Sequence, residues 1–359
     1  MTEHINVAVV GLGYWGPNLV RALHDVEEAR VTWICDLDSD HLEKIGRRYP
    51  AVGRTMDFDD VLSDESVDAV AIATPVSTHF PLAKRALEAG KNIFVEKPLA
   101  ASTEEALALT ELADERGLLL MPGHTFVYSP PVRAIRELID SGELGDIYFI
   151  STSRVNLGLH QPDVSVAWDL GPHDFSILRY WLQETPEFVS GIGRSCIIPG
   201  TPDVAFINLE FASKTVAHVE LSWLAPSKLR RTTIVGSRKM VVYDDTSNEP
   251  VRVFDSGVMI PDPSSFGEYK LTYRTGSIVS PHIKASEPLC VELTDFCRSI
   301  LTSSIPESSA ELGVEVVKMV EAVDRSFASH GSRIRLSDLT PSKAGDSLPF
   351  PLPAAVTRS

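Results

Sequence analysis

The feature that most constrains this chain is a short, mostly apolar run that passes directly into a glycine-rich turn. Residues 6–16 read N-V-A-V-V-G-L-G-Y-W-G, and apolar residues with helical spacing follow. Strand, tight turn and helix is the context in which G-x-G-x-x-G binds a dinucleotide. We expect Gly11 to allow the sharp turn, Gly13 to let backbone N–H groups approach a pyrophosphate, and Gly16 to bring the helix close to the strand. For the motif alone, an ordinary glycine-rich turn is the alternative.

A second apolar strand, residues 30–35, ends in Asp36, which lies 20 residues after Gly16. A carboxylate there accepts hydrogen bonds from the adenosine ribose hydroxyls and repels a 2′-phosphate, so NAD is favoured over NADP as the cofactor. The alternative is that Asp36 only caps the helix predicted at 39–48. Asp38 is better placed for that role.

Strand and helix patterns alternate from the first residues to about residue 121. The apolar run at 67–73 is typical of a parallel strand that is buried on both faces. Such alternation predicts a doubly wound sheet, and ligands bind beyond the carboxyl ends of its strands. Two motifs fall at such ends: Thr74-Pro75 with His79, and Glu96-Lys97-Pro98.

After residue 123 the sequence predicts one more amphipathic helix, at 130–141. From Ile147 the apolar pattern has a period of two, which predicts long antiparallel strands in an open sheet. The predicted fold class is therefore α/β. An N-terminal Rossmann domain (1–123) precedes a C-terminal α+β domain (124–335) with a large open, mainly antiparallel sheet. A proline-containing tail (336–359) is expected to be extended or disordered.

Composition narrows the class of protein. The formal charge of −16, from 33 basic and 49 acidic residues, argues against nucleic acid as a partner. No apolar run reaches the ~18 residues that a membrane helix needs. The first strand follows Met-Thr-Glu-His without a signal segment, and the four cysteines lack C-x-x-C spacing. These observations favour a reduced cytoplasmic protein without a structural zinc site.

Lys97 is a candidate for chemistry at the bound cofactor. Hydride transfer from an alcohol needs a group that stabilises the developing alkoxide. Lys97 follows a predicted parallel strand on the cofactor side, where a desolvated lysine can also share in proton transfer. The alternative is a solvated loop lysine paired with Glu96.

Asp169 and His173 form a second candidate group. Residues four apart lie on one face of a helix, and histidine is the natural proton acceptor near neutral pH. Asp169 could orient His173 or bind a substrate hydroxyl. The alternatives are an N-cap at Asp169 with a packed His173, or half of a metal site. No third ligand has suitable spacing, so we expect no metal.

The four motifs G-x-G-x-x-G (11–16), T-P-x-x-x-H (74–79), E-K-P (96–98) and D-x-x-x-H (169–173) together resemble the glucose–fructose oxidoreductase and inositol dehydrogenase family, to about residue 330. The resemblance implies catalysis by Lys97, Asp169 and His173, with His173 as the acid/base. It also implies nicotinamide contacts from Thr74, Glu96 and Lys97. The expected cofactor-binding residues are Gly11, Gly13, Tyr14, Trp15, Gly16, Asp36, Thr74, Pro75, His79, Glu96 and Lys97.

Two segments, 14–19 and 155–159, look most like family members that oxidise the 3-hydroxyl of a UDP-N-acetyl sugar or its uronate. The resemblance implies a homodimer or homotetramer formed through the open sheet. The substrate contacts offered by the later part of the chain are Tyr128, Arg154, Asn156, His160 and Gln161. Each of these could equally be a structural or surface residue.

The favoured function is an NAD(H)-dependent sugar dehydrogenase or, in reverse, a ketosugar reductase. An inositol or free-sugar dehydrogenase is one alternative. Another is a glycosidase that oxidises C3 transiently with a tightly held NAD. A protein that senses NAD(H) without turnover is the last, although it would not need Lys97, Asp169 and His173 together.

Overall fold

A computed structural model describes residues 4–158, 160, 164–259 and 272–339. The chain forms two compact units. The first comprises Met1–Ser129 with Ser286–Lys318, and the second comprises Pro130–Ala285 with Met319–Ser359. The second domain was predicted to span 124–335, whereas residues 124–129 and 286–318 belong to the first unit. In the predicted tail (336–359), Leu336–Asp338 form a short 3-10 helix, and residues 340–359 lie outside the described residues.

The strands fall into two sheets. The strands are β1 (Ile5–Val10), β2 (Ala29–Cys35), β3 (Gly53–Thr55), β4 (Ala69–Ile72), β5 (Asn92–Glu96), β6 (Leu120–Gly123), β7 (Ile147–Leu157), β8 (Phe188–Arg194), β9 (Val204–Glu210), β10 (Val216–Ser222), β11 (Leu224–Gly236), β12 (Met240–Asp244), β13 (Val251–Met259), β14 (Thr272–Val279) and β15 (Ile334–Arg335). The α-helices are α1 (Gly16–Asp25), α2 (Ser39–Arg48), α3 (Phe58–Ser63), α4 (His79–Glu88), α5 (Thr103–Arg116), α6 (Pro130–Asp140), α7 (Val166–Leu182), α8 (Pro288–Thr302) and α9 (Ala310–Ala328).

The first unit contains a six-stranded sheet with the order β3-β2-β1-β4-β5-β6, and every pair in it is parallel. The order reverses between β1 and β4, so β1 and β4 flank the crevice where a doubly wound sheet binds its ligand. Every residue of β4 is buried, as expected for a strand covered on both faces. The predicted Rossmann architecture is confirmed.

The second unit contains a nine-stranded sheet with the order β14-β13-β12-β11-β7-β10-β9-β8-β15. Of the strand pairs described in this second sheet, only β7–β10 is parallel. The predicted open, mainly antiparallel sheet is therefore confirmed. Strands β8, β13, β14 and β15 were not predicted individually from the sequence.

Helix α7 packs on one face of this sheet and contacts β7, β9 and β10. Strand β10 shows the expected period of two. Ala217, Val219 and Leu221 are buried, whereas Val216 is exposed and the residues that alternate with the buried ones, 218 and 220, are half-buried. The opposite face carries several exposed apolar side chains. They are Phe149, Ile192, Phe206 and Val216.

Among the helices of the described ranges, none is long and apolar enough to cross a membrane.

Candidate active site

The glycine-rich turn between β1 and α1 has no room for side chains at two of its glycines. Gly11 has a φ of +89°, and a Cβ there would lie 2.6 Å from the carbonyl oxygen of Ala73. At Gly16 a Cβ would lie 1.9 Å from the carbonyl oxygen of Gly11. Nothing lies within 4 Å of the position that a Cβ would take at Gly13. This is the cradle that a pyrophosphate requires, with helix α1 beginning at Gly16.

Asp36 faces this turn and does not cap α2. Its carboxylate accepts the backbone N–H of Leu12 through Oδ2 and that of Asp38, at 2.8 Å, through Oδ1. The N-cap of α2 is Asp38, whose Oδ1 accepts the N–H of Asp40 at 2.8 Å. The capping interpretation of Asp36 is therefore wrong. A carboxylate held beside the glycine turn fits the ribose hydroxyls of NAD.

The other residues of the turn differ in exposure. Tyr14 is 88% exposed, and Trp15 is half-buried. Pro75 is exposed, directly before a short turn of 3-10 helix, Val76–Thr78.

His79 ties two strand ends of the first unit together. Its ring is 1% exposed, with Nδ1 2.8 Å from the carbonyl oxygen of Pro98 and Nε2 2.9 Å from that of Thr74. The ring therefore links the segment after β4 to the segment after β5. These contacts make His79 a support for Thr74 and the Lys97-Pro98 turn, since a ring buried between two carbonyl groups has little surface left for a cofactor.

Lys97 follows β5 and is half-buried, and its backbone N–H donates to Oε2 of Glu96 at 3.3 Å. Burial raises the pKa of Glu96 to about 7, although the charge of Lys97 opposes this rise. A proton on Glu96 near neutral pH reduces the negative charge next to the lysine. The solvated loop lysine of the alternative interpretation does not match this half-buried position.

Two further polar residues of the first unit, His124 and Glu292, are buried and are affected by the charges of Lys97 and Glu96, respectively. Burial, and then the charge of Lys97, lowers the pKa of His124 to about 3. Burial, and then the charge of Glu96, raises the pKa of Glu292 well above its usual range. Thr125 donates to Oε2 of Glu292 at 2.7 Å, whereas Oε1 of Glu292 and both ring nitrogens of His124 have no hydrogen-bond partner in the part of the chain that the structure describes.

Unpaired buried polar atoms are rare and usually mark a functional region or a water site. His124 was not predicted as a site residue from the sequence. Its position directly after β6, at the carboxyl edge of the parallel sheet, is the feature that could have indicated it.

Asp169 and His173 lie four residues apart in α7, a helix of the second unit, and both are half-buried. The helix begins at Val166 with Ser165 as its N-cap, so the interpretation of Asp169 as the cap is wrong. The Asp169 carboxylate instead accepts the indole N–H of Trp223 through Oδ2 at 3.0 Å. The spacing of four residues places both side chains on one face of the helix.

The start of α7 is anchored by a buried pair. The indole of Trp168 donates to Oδ2 of Asp324 at 2.5 Å, and burial raises the pKa of Asp324 to about 7. The other oxygen, Oδ1, has no hydrogen-bond partner among the described residues. This anchor lies one residue before Asp169.

Two of the expected substrate contacts have partners inside their own units. Arg154 and Asp174 are each 4% exposed and form a bidentate pair, with Nε 2.6 Å from Oδ2 and Nη2 3.3 Å from Oδ1. The hydroxyl of Tyr128 donates to Oδ2 of Asp295 at 2.7 Å and accepts the N–H of Ser308 at 3.0 Å. Both placements favour structural roles, since the groups that would recognise a substrate already bind carboxylates of the chain.

The remaining expected contacts lie at and after the end of β7. Asn156 is half-buried in the strand. The ring of His160 lies 5.2 Å from that of Trp223, and its Nε2 is 3.9 Å from Oδ2 of Asp203. Gln161 lies outside the described residues.

Among the described residues, no three or more His, Cys, Asp or Glu side chains are grouped so that they could hold a metal ion.

A parallel sheet whose first strand turns through a glycine-rich segment into a helix is the architecture of dinucleotide-binding proteins. Residues 5–124 match the model of an oxidoreductase family with an NAD-binding Rossmann fold, and residues 132–242 match the GFO/IDH/MocA C-terminal domain.

Three known proteins illustrate the similarity. The scyllo-inositol 2-dehydrogenase (NAD(+)) of Bacillus subtilis is 33% identical over 340 residues, covering 88% of this chain and 93% of the relative. A dTDP-3,4-didehydro-2,6-dideoxy-alpha-D-glucose 3-reductase of Streptomyces violaceoruber is 43% identical over 96 residues, covering 27% of this chain and 28% of the relative. The crystal structure of GenD2 from gentamicin A biosynthesis, in complex with NAD, superimposes with a TM-score of 0.78 at 25% identity, covering 93% of this chain and 97% of that one.

The chain therefore belongs to the Gfo/Idh/MocA family of NAD-dependent oxidoreductases. The family resemblance read from the four motifs is confirmed, and so is NAD as the cofactor.

Proposed function

We propose that this enzyme transfers a hydride between NAD and a ring carbon of a sugar, interconverting a hydroxyl and a ketone. The preferred substrate is a nucleotide-linked sugar oxidised at its 3-position, of the UDP-N-acetyl sugar or uronate class. The observation that carries the proposal is the similarity, over 88% of the chain, to an NAD-dependent inositol dehydrogenase in a sequence that contains Lys97, Asp169 and His173.

Each of the three residues has a separate task. Bound NAD supplies the acceptor for the hydride. His173 takes the hydroxyl proton, because an imidazole exchanges a proton near neutral pH. Asp169 orients that imidazole and favours its protonated form, and the ammonium group of Lys97 stabilises the oxyanion that forms as the proton leaves. Because the pKa of Glu96 is about 7, this carboxyl is partly protonated near neutral pH, which reduces the negative charge beside Lys97.

Two observations support a nucleotide-linked sugar that reacts at its 3-position. The segments at 14–19 and 155–159 resemble those of nucleotide-sugar dehydrogenases. The Streptomyces violaceoruber relative is named as a reductase that acts at the 3-position of a nucleotide-linked sugar. A cyclitol is the second candidate substrate, because the relative that aligns over most of the chain is an inositol dehydrogenase.

We further propose that the enzyme is a homodimer or homotetramer. The face of the nine-stranded sheet opposite α7 exposes Phe149, Ile192, Phe206 and Val216 at 42, 66, 46 and 48%. Neighbouring apolar side chains on one sheet face are unfavourable in water and are covered when a second copy packs against them.

A substrate panel tests the proposal. Purified protein is incubated with NAD and with UDP-N-acetyl sugars, their uronates, free hexoses and inositols, and NADH formation is followed by absorbance. We expect turnover with at least one nucleotide-linked sugar. Release of a free sugar without net NADH would support the transient-oxidation glycosidase, and NADH binding without turnover on any sugar would support the sensor.

Variants of the proposed catalytic residues sharpen this test. Lys97→Ala and His173→Ala should lower kcat by at least 100-fold while the Kd of NADH changes little, because each group acts on the reacting oxygen. Lys84→Ala is the matched control, since Lys84 is an exposed lysine of α4. Loss of NADH binding in both variants, with Lys84→Ala intact, would contradict the assigned roles.

A further inference from the structure

The orientation of the Asp169 carboxylate also depends on a residue outside α7. Its Oδ2 accepts the indole N–H of Trp223 at 3.0 Å, and Trp223 lies 54 residues later, between β10 and β11. The indole is 1% exposed, so this hydrogen bond to a charged group is shielded from water. Such bonds are stronger and more directional than bonds between neutral groups.

The indole itself is held from several sides. The backbone N–H of Trp223 donates to the carbonyl of Asp203 at 3.0 Å, and its carbonyl accepts the N–H of Gly158 at 2.9 Å. A Cβ at Gly158 would lie 2.8 Å from Cδ1 of the indole, so glycine allows the ring to pack there. The ring of His160 lies at a centroid distance of 5.2 Å. Trp223 therefore has little freedom to turn away from Asp169.

Asp203, whose carbonyl binds the backbone of Trp223, is itself held in place by hydrogen bonds. It is fully buried, and its carboxylate accepts the backbone N–H groups of Cys196 (3.0 and 2.9 Å) and Ile197 (2.8 Å). These bonds fix the segment whose carbonyl binds the Trp223 backbone. The orientation of Asp169 thus depends on contacts among three separate stretches of the second unit.

We infer that Trp223 is a positioning residue, whose indole N–H holds the Asp169 carboxylate in the orientation in which it supports His173. This inference rests on the proposed function. Trp223 contacts Asp169 and needs no contact with the substrate. Since catalytic groups must be held to a fraction of an ångström, loss of this donor lowers the rate of the chemical step without removing the carboxylate.

The substitution Trp223→Phe removes the N–H and keeps an aromatic ring. We expect kcat to fall about tenfold, the loss that follows from one hydrogen bond to a charged group, with the Kd of NADH unchanged. Trp181→Phe is the matched control. Trp181 is also 1% exposed in the second unit, but its indole donates to the carbonyl of Val132 at 2.8 Å. We expect its kcat to stay within about twofold of the wild type.

A double-mutant cycle separates positioning from general destabilisation. In an Asp169→Ala background, Trp223→Phe should change the remaining kcat less than twofold, because the partner of the indole is already gone. Trp181→Phe should have the same small effect in both backgrounds. A tenfold loss from Trp223→Phe that persists in Asp169→Ala would overturn the inference.

A readout without substrate distinguishes this inference from the proposed function. The indole N–H resonance of Trp223, assigned by its absence in Trp223→Phe, should shift in the NMR spectrum of Asp169→Ala, while that of Trp181 should not. An unshifted Trp223 resonance would refute the hydrogen bond itself. A shifted resonance with no turnover on any sugar would instead count against the proposed function, and a shifted resonance with full turnover by Trp223→Phe would refute positioning alone.

Discussion

The preference for NAD over NADP depends on one carboxylate, Asp36, and can be tested by the substitution Asp36→Asn. The Asp36 side chain is 13% exposed, so an effective dielectric of about 20 is appropriate. At a separation of about 5 Å, two unit negative charges then repel each other by about 3 kcal/mol. A free energy of this size is about a hundredfold in Kd. Replacing the carboxylate with an amide removes this repulsion toward the 2′-phosphate of NADPH.

The same substitution weakens NADH binding. The ribose hydroxyls lose a charge-assisted hydrogen bond worth about 1.5–3 kcal/mol, and the single amide oxygen can accept only one of the two N–H groups of Leu12 and Asp38. The ratio of the Kd of NADPH to that of NADH should therefore fall by at least about a hundredfold. Titration of each cofactor, followed by quenching of tryptophan fluorescence, measures both constants without a substrate.

Asp38→Asn is the control for this experiment. It removes a neighbouring charge that is 53% exposed, while the amide oxygen can still cap α2. The cofactor ratio should change little, since solvent and salt screen this charge. An equal change in both variants, or a wild type that binds NADPH as tightly as NADH, would refute the role given to Asp36.

Two other consequences can be measured without a substrate. The folded state raises the pKa of Asp324 from 3.8 to about 7, so the native protein retains a proton that the unfolded chain has lost, and stability falls as pH rises between these two values. Compared with Asp324→Asn, the wild type should lose about 3 kcal/mol between pH 5 and pH 8 in urea unfolding; a constant difference would show that the buried carboxyl is not protonated at pH 5. For the oligomer, light scattering after gel filtration should show a smaller species for Phe206→Asp than for the wild type, because a charge replaces an apolar side chain on the sheet face. Ile305→Asp is its control, with Ile305 86% exposed in the first unit; dissociation by both variants, or by neither, would count against that face as the interface.

The local features of the first unit could be predicted from the sequence because they depend on neighbouring residues. The steric demand at Gly11 and Gly16 follows from a strand that turns at once into a helix, and the structure shows both clashes that a side chain would cause. The choice of Asp38 as the cap of α2 followed from its position directly before the helix. The helical spacing of Asp169 and His173 was visible for the same reason.

The parts that could not be predicted involve residues far apart in the chain. The bond from Trp223 to Asp169 and the pair between Arg154 and Asp174 depend on which strands and helices become neighbours. Arg154 was expected to contact the substrate, and the sequence did not show that its partner, Asp174, lies on α7. Strand β8 was missed because its pairing with β9 and β15 decides its structure more than its own composition does.

The return of residues 286–318 to the first unit has the same origin. Helix α8 has an apolar face that the sequence shows, but its contact with α1 joins segments more than 200 residues apart. As a result, the contact between Glu292 of α8 and Thr125, which follows β6, was recognised only from the structure.

The central claim is that this enzyme moves a hydride from a ring carbon of a sugar to NAD. The most direct measurement uses the sugar identified by the panel, carrying deuterium on the carbon that is oxidised, and determines the mass of the NADH produced in a single turnover. The account predicts NADH that is one mass unit heavier, formed more slowly than from the unlabelled sugar, and formed at least 100-fold more slowly by His173→Ala than by the wild type. Unlabelled NADH, or deuterium that remains on the sugar while NADH accumulates, would contradict it.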